Sequence, residues 1–140
     1  GVLATQTSAG VVEVAIAGGG GGFGGIVSSI RSLSTSTTLS PFVVGVLTMP
    51  YNGTITGWTI FSDVAGGCDV RYYKDPYASY PAITTPLFTG NNPTLTSPNV
   101  KNELTGLTIS VTKGQVILCE LYAVSGAMTR IDVTLQITKS

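Results

Sequence analysis

The chain has 140 residues, enough for one domain with a real core and too few to expect two. Only 10% of them are charged and seven acids balance seven bases, so there is no basic excess for electrostatic capture of nucleic acid or an anionic membrane. Histidine is absent, which removes the commonest general base, the Ser–His nucleophile pair and the commonest zinc ligand together.

Val12, Val14 and Ile16 alternate with Glu13 and Ala15 and read as a strand. The tract from Ala17 to Gly25 follows, with seven glycines in the eight residues from Gly18 to Gly25. Glycine at that density loses much entropy on ordering and offers no side chain to pack. The tract is therefore expected to be a flexible tether, or an extended arm ordered only against a neighbour. The apolar spacing of Ile26, Ile30 and Leu33 fits a short helix, while their β-branched surroundings fit a strand equally well. Ser34 to Ser40 is a Ser/Thr run that reads as a link. Residues 1–41 are thus expected to form an arm or linker, with Val12, Val14, Ile16, Phe23, Ile26 and Ile30 as the side chains able to grip a neighbouring subunit.

From residue 42 onward strand signals are dense. Phe42 to Met49 reads as a buried strand, and Asn52-Gly53 as a tight turn whose residues tolerate positive φ. Ile55 to Ser62 is the next strand. Gly57 interrupts its alternation and implies a bulge that turns both Ile55 and Trp58 inward. Cys68, Val70 and Tyr72 then alternate against Asp69, Arg71 and Tyr73. A long loop rich in proline and asparagine runs from Lys74 to about Glu103. Leu107, Ile109 and Val111 mark another strand, Val116 to Val124 a buried one, and Ile131, Val133, Leu135 and Ile137 the most regular alternation in the chain. Short strands separated by turn signals every eight to twelve residues predict an all-β antiparallel sandwich or jelly roll over residues 42–140.

Little in this pattern supports chemistry. GxGxxG occurs at Gly20, Gly22 and Gly25, but without the strand–helix context and following acid of a dinucleotide site. Asp63, Asp69 and Asp75 form the only local acid cluster. Two carboxylates about 5–10 Å apart cleave glycosidic bonds, so Asp69 and Asp75 are the pair on which a glycan-cleaving enzyme would rest. Their places on a strand's outer face and at a loop start read more simply as solvated acids. No ordered calcium-loop spacing is present either. Neither catalytic residues, nor a metal, nor a cofactor is expected. Cys68 and Cys119 match no CxxC spacing and read as small buried hydrophobes, with a disulfide as the alternative. No apolar run is long enough for a membrane-spanning helix, and no secretory signal is visible. Gly1 to Thr5 matches a short myristoylation pattern that is common by chance. In YYKDPYASYP, Tyr73, Tyr77 and Tyr80 are candidate contact residues, because tyrosine buries much area at low entropy cost.

The stretch from Met49 to Ile60, MPYNGTITGWTI, resembles a string common near the C-termini of tailed-bacteriophage fibre and other virion proteins. Lys74-Asp75, Tyr77 to Pro81, Gly90 to Leu95, Leu104 to Leu107 and Thr129 to Leu135 follow the order of that family's further motifs, so the similarity covers roughly Val44 to Lys139. It departs from the family at Cys119, where a bulky apolar residue is usual, and in the glycine-rich front end. No fibre shaft precedes the domain in this sequence. The resemblance implies a non-enzymatic virion structural protein on the tail or capsid exterior, with a jelly-roll domain assembling as a homotrimer. As a tail-fibre or receptor-binding head it would meet a host-surface glycan or protein. As a capsid decoration protein it would use the arm to grip other phage structural proteins.

Overall fold

The structure, a computed structural model, describes residues 11–17, 22–32 and 38–140. Among the described residues nine strands follow in chain order: β1 (Val11–Ala17), β2 (Phe23–Arg31), β3 (Phe42–Thr48), β4 (Gly53–Ser62), β5 (Gly66–Pro76), β6 (Thr94–Leu95), β7 (Lys101–Val111), β8 (Gln115–Gly126) and β9 (Arg130–Lys139). They build two antiparallel sheets, one in the order β1-β2-β9-β4-β7 and the other in the order β3-β8-β5-β6.

The pairing partners define the fold. β2 pairs with β9, β3 with β8, β4 with β7 and β5 with β6, all antiparallel. This is a nested hairpin in which the segment between β5 and β6 is the innermost link. Rolling it up places alternate pairs in opposite sheets and gives the jelly roll. The expected all-β sandwich is the observed architecture.

β4, β5, β8 and β9 each turn an apolar face to the space between the sheets. Ile131, Val133, Leu135 and Ile137 of β9 are all buried, as their alternation demands. The same holds for Cys68, Val70 and Tyr72 of β5. On β4 the register slips between Ile55 and Gly57 against both neighbours, and Ile55 and Trp58 both reach the core. Gly57 is required there by space. A Cβ would stand 2.4 Å from the Leu104 carbonyl oxygen.

Near the centre of the core lies one polar cluster. Ser28 Oγ and Tyr72 OH are 2.7 Å apart and buried, with the buried Cys119 thiol beside them. Burial pushes that thiol up to about 12 and Cys68 up to about 11. Both cysteines are free.

Two expectations need correction. The division at residue 41 does not follow the sheets, because β2 pairs with β9 along its whole length and β1 pairs with β2. Ile26 and Ile30, expected on an arm, are fully buried in this chain's own core. The tail of the glycine tract, Phe23 to Gly25, is strand rather than tether. The backbone of β9 supplies the hydrogen bonds that side chains there do not. The segment from Ile26 is strand and not helix for the same reason. Residues 1–10, 18–21 and 33–37, with the myristoylation pattern and parts of the glycine and Ser/Thr runs, lie outside the described residues.

The second correction concerns Asn52-Gly53. β3 and β4 belong to opposite sheets, so this link crosses the sandwich and closes no hairpin. The positive-φ glycines among the described residues are Gly90, Gly106, Gly114 and Gly126. Gly53 instead serves close approach, since a Cβ would lie 2.7 Å from Ile137 Cγ2. Asn52 Oδ1 accepts from the Lys113 amide at 2.8 Å and ties this crossing to the β7–β8 turn.

Candidate binding surface

The innermost link of the nested hairpin carries the tyrosines. β5 ends at Pro76, and Tyr77–Ser79 form a single 3₁₀ turn. The returning chain is fastened along the end of β5. The Lys74 amide donates to Thr85 O at 2.8 Å, and the Leu87 amide to Tyr72 O at 2.8 Å. Asp75 reinforces this. Its Oδ2 accepts from the amides of Thr84 and Thr85 at 2.6 and 3.1 Å, and its Oδ1 from Thr85 Oγ1 at 2.6 Å. The Thr85 hydroxyl and these amides hold the Asp75 carboxyl below its ordinary range. Ile83, Leu87 and Phe88 are buried, and Phe88 meets Tyr72 edge-on at 6.0 Å. What remains outside is the tip, where Tyr77 is 72% and Tyr80 56% exposed.

Tyr73 belongs elsewhere. It is half-buried on the outer face of the smaller sheet, with its hydroxyl donating to Glu120 Oε1 at 3.1 Å. Burial, and next its bond to Glu120, raise its phenol above the ordinary value. On the same strand Arg71 Nε donates to Asp69 Oδ2 at 3.1 Å, and its guanidinium lies 3.3 Å from the centre of the Tyr122 ring. Tyr122 is the extra residue of a bulge in β8, where Asp69 and Val70 face Ala123 and Leu121. The structure therefore brings Tyr77 and Tyr80 together at one tip and separates Tyr73 from them.

Of the arm candidates, Val12, Val14 and Ile16 sit on β1 opposite Ile30, Ser28 and Ile26, with their side chains outside the described residues. Phe23 opens β2 and is exposed.

The three aspartates have separate structural partners. Asp63 accepts from the Thr129 amide and hydroxyl and the Arg130 amide, at 3.0, 2.6 and 3.1 Å, joining two turns. Burial raises its pKa, but these bonds outweigh that and leave it lowered. Asp69 is paired with Arg71, and Asp75 secures the tyrosine loop. Asp69 and Asp75 stand six residues apart on one strand, roughly 20 Å at about 3.3 Å per residue. That separation is too wide for the acid pair of a glycosidase.

A cleft that residue order does not show opens at one edge of the sandwich. Trp58 pairs with Leu104 across β4 and β7, and Asp69 pairs with Thr94 across β5 and β6. Both pairs line one cleft, together with Gly90, Asn91 and Asn92. The cleft holds about 540 Å³. Trp58 forms its floor, only 3% exposed, with Nε1 donating to the Asn91 carbonyl at 2.9 Å. Asn102 Nδ2 donates to Thr94 O at 3.1 Å. Asp69 Oδ1 and Asn91 Oδ1 are buried without a hydrogen-bond partner from the described residues. A smaller groove of about 370 Å³ shares Asn102 and Glu103 with the cleft and includes Thr59, Phe61 and Lys101. No linear signal links Trp58, Asp69, Asn91 and Glu103, because four different segments converge here. The run Gly90-Asn91-Asn92-Pro93 beside an inward tryptophan was the nearest hint.

No family model matches this chain, and no curated protein matches it. Among solved structures, the K3 cleaved adhesin domain of Lys-gingipain from Porphyromonas gingivalis is similar, with a TM-score of 0.45 and 14% identity. The alignment covers 82% of this chain and 74% of that one.

Proposed function

We propose that the chain is a non-enzymatic binding component of a tailed-phage virion, a fibre or receptor-binding head that works as a homotrimer and presents Tyr77 and Tyr80 to a host-surface glycan or protein. The observation that carries this reading is the construction of the tip. Two large aromatic side chains are exposed on a link held by Asp75 and by buried Ile83, Leu87 and Phe88. Aromatic anchors on a fastened loop lose little entropy when they bind. The segments that resemble the fibre family, Lys74-Asp75, Tyr77 to Pro81 and Gly90 to Leu95, are the ones that frame this link. Edge strand β3 exposes Val43 and Val46 on the outer face of the smaller sheet, apolar side chains available to a second copy.

The capsid-decoration alternative draws on a free arm of about forty residues. β1 and β2 place much of that segment in this chain's own sheet, and for this reason the head-domain reading is preferred. The test is binding of the purified, labelled chain to bacteria that the parent phage infects, with sedimentation equilibrium run alongside. Saturable binding lost in Tyr77→Ala and Tyr80→Ala, by a trimer, supports the proposal. Binding unchanged in both variants, or hundreds of copies per capsid in purified particles, overturns it.

A further inference from the structure

A second surface has the means to hold a ligand, and it is distinct from the tyrosine tip. The edge cleft is rich in acceptors. Asp69 Oδ1 and Asn91 Oδ1 are buried without partners among the described residues, and Glu103 is among the residues that line the same cleft. A buried acceptor without a donor is unfavourable, so a ligand that brings hydroxyl donors gains there what the protein alone lacks. Asn102 adds an amide able both to donate and to accept, which matches neighbouring hydroxyls on a sugar ring. The volume lies within the range of roughly 300–1,000 Å³ typical of small-molecule sites.

Two further features narrow the ligand class. Phe61 is an exposed aromatic on the outer face of β4, in the groove that continues from the cleft through Asn102 and Glu103. An aromatic ring beside hydrogen-bonding groups suits a molecule with one apolar C–H face and a hydroxyl rim. The cleft and groove together also favour a ligand of more than one ring. Charge points the same way. Asp69 is already paired with Arg71, which weakens the site for a divalent cation. Among the described residues no group of three or more acidic, cysteine or histidine side chains converges as a metal site. In the groove Lys101 and Glu103 offset each other, so no net charge there selects a charged sugar.

We propose that the edge cleft and its adjoining groove bind a short neutral oligosaccharide, with Asp69 and Asn91 accepting hydroxyl hydrogens at depth and Phe61 stacking on a ring at the mouth. This site stands independently of where the chain resides and of the tyrosine tip.

The test is saturation-transfer NMR on the full chain with maltose, lactose and mannobiose at millimolar concentration, repeated on Asn91→Ala, Phe61→Ala and the Tyr77→Ala/Tyr80→Ala double variant. Transfer from at least one sugar is expected. It should weaken about tenfold or more in each cleft variant, the scale of one well-placed hydrogen bond or stacking contact, and persist in the tyrosine variant. Phe61 is exposed, so its variant decides the matter even if Asn91→Ala folds poorly. No transfer from any of the three sugars overturns the proposal, as does transfer that survives unchanged in both cleft variants. A melting temperature raised by calcium chloride with no sugar bound assigns the cleft to a cation and overturns it equally. Loss of host-cell binding in the tyrosine variant alone, with sugar transfer intact, separates the two surfaces.

Discussion

The core cluster of Ser28, Tyr72 and Cys119 and the edge cleft around Asp69 and Asn91 are both polar sites in a weakly charged protein, and β5 contributes to each. Tyr72 points inward, and its hydroxyl finds Ser28 Oγ at 2.7 Å. Asp69, three residues earlier and beside a bulge, keeps one oxygen on Arg71 and leaves the other without a partner among the described residues. The central cluster is closed upon itself and reads as structure. The edge is open, and its unsatisfied acceptors read as capacity for a ligand. Strand alternation and one bulge are enough to produce both from neighbouring residues.

The largest test of this contrast is Trp58→Ala, since Trp58 floors the cleft and also belongs to the core. Denaturant unfolding should show a loss of about 3–5 kcal/mol, the range for removing a large buried aromatic. A loss under about 1 kcal/mol would mean that the cleft is a surface feature with no hold on the fold.

Next is the closed cluster itself. Tyr72→Phe removes one hydroxyl and should cost about 1–3 kcal/mol, because Ser28 loses a buried partner. Adding Ser28→Ala should cost less than the sum of the single changes, because the bond between the two hydroxyls is already lost in the first variant. Strict additivity would show that the two hydroxyls are independent.

Thiol labelling sharpens the same point without touching stability. With burial holding Cys68 at about 11 and Cys119 at about 12, both should resist maleimide at neutral pH in the native chain. Both should react fully once the chain is unfolded in guanidinium. Rapid native labelling of Cys119 would show that the central cluster opens.

The smallest expected effect concerns acid. The pKa values of Asp63 and Asp75 are lowered in the fold, so their contribution is present above the unfolded value of about 4. It is lost as pH falls through the depressed folded values. Melting temperature should therefore hold from pH 7 to about 5 and decline below about 4, and Asp63→Asn with Asp75→Asn should flatten that decline. Both groups are largely exposed, so the change should be modest. A decline of unaltered slope in the double variant would leave these two latches without a role in acid stability.

Much of the fold was readable from residue order. Alternation along β9 and β5 assigned their faces, and the slip at Gly57 located a bulge that returns Trp58 to the core. These features are local, since a strand's period and a glycine's missing Cβ act on adjacent residues. The glycine tract misled because composition reports what a segment fails to do alone. It does not report that β9 offers its backbone to Phe23, Gly24 and Gly25. Asn52-Gly53 misled similarly, as a favourable turn pair says nothing about which sheet the next strand joins. Tyr77 and Tyr80 were legible as anchors, yet only the fastening by Asp75, Thr84 and Thr85 separated them from Tyr73.

By itself, the sequence determined an all-β chain without histidine, with paired inward and outward faces and a tyrosine-bearing link. Tertiary structure alone decided that β1 and β2 join the larger sheet, that three aspartates lie on three separate tasks, and that Trp58, Asp69, Asn91 and Glu103 meet. The physical reason is nesting. In a rolled hairpin each strand pairs with one far along the chain, so what converges at an edge is set by pairing register and not by nearness in sequence.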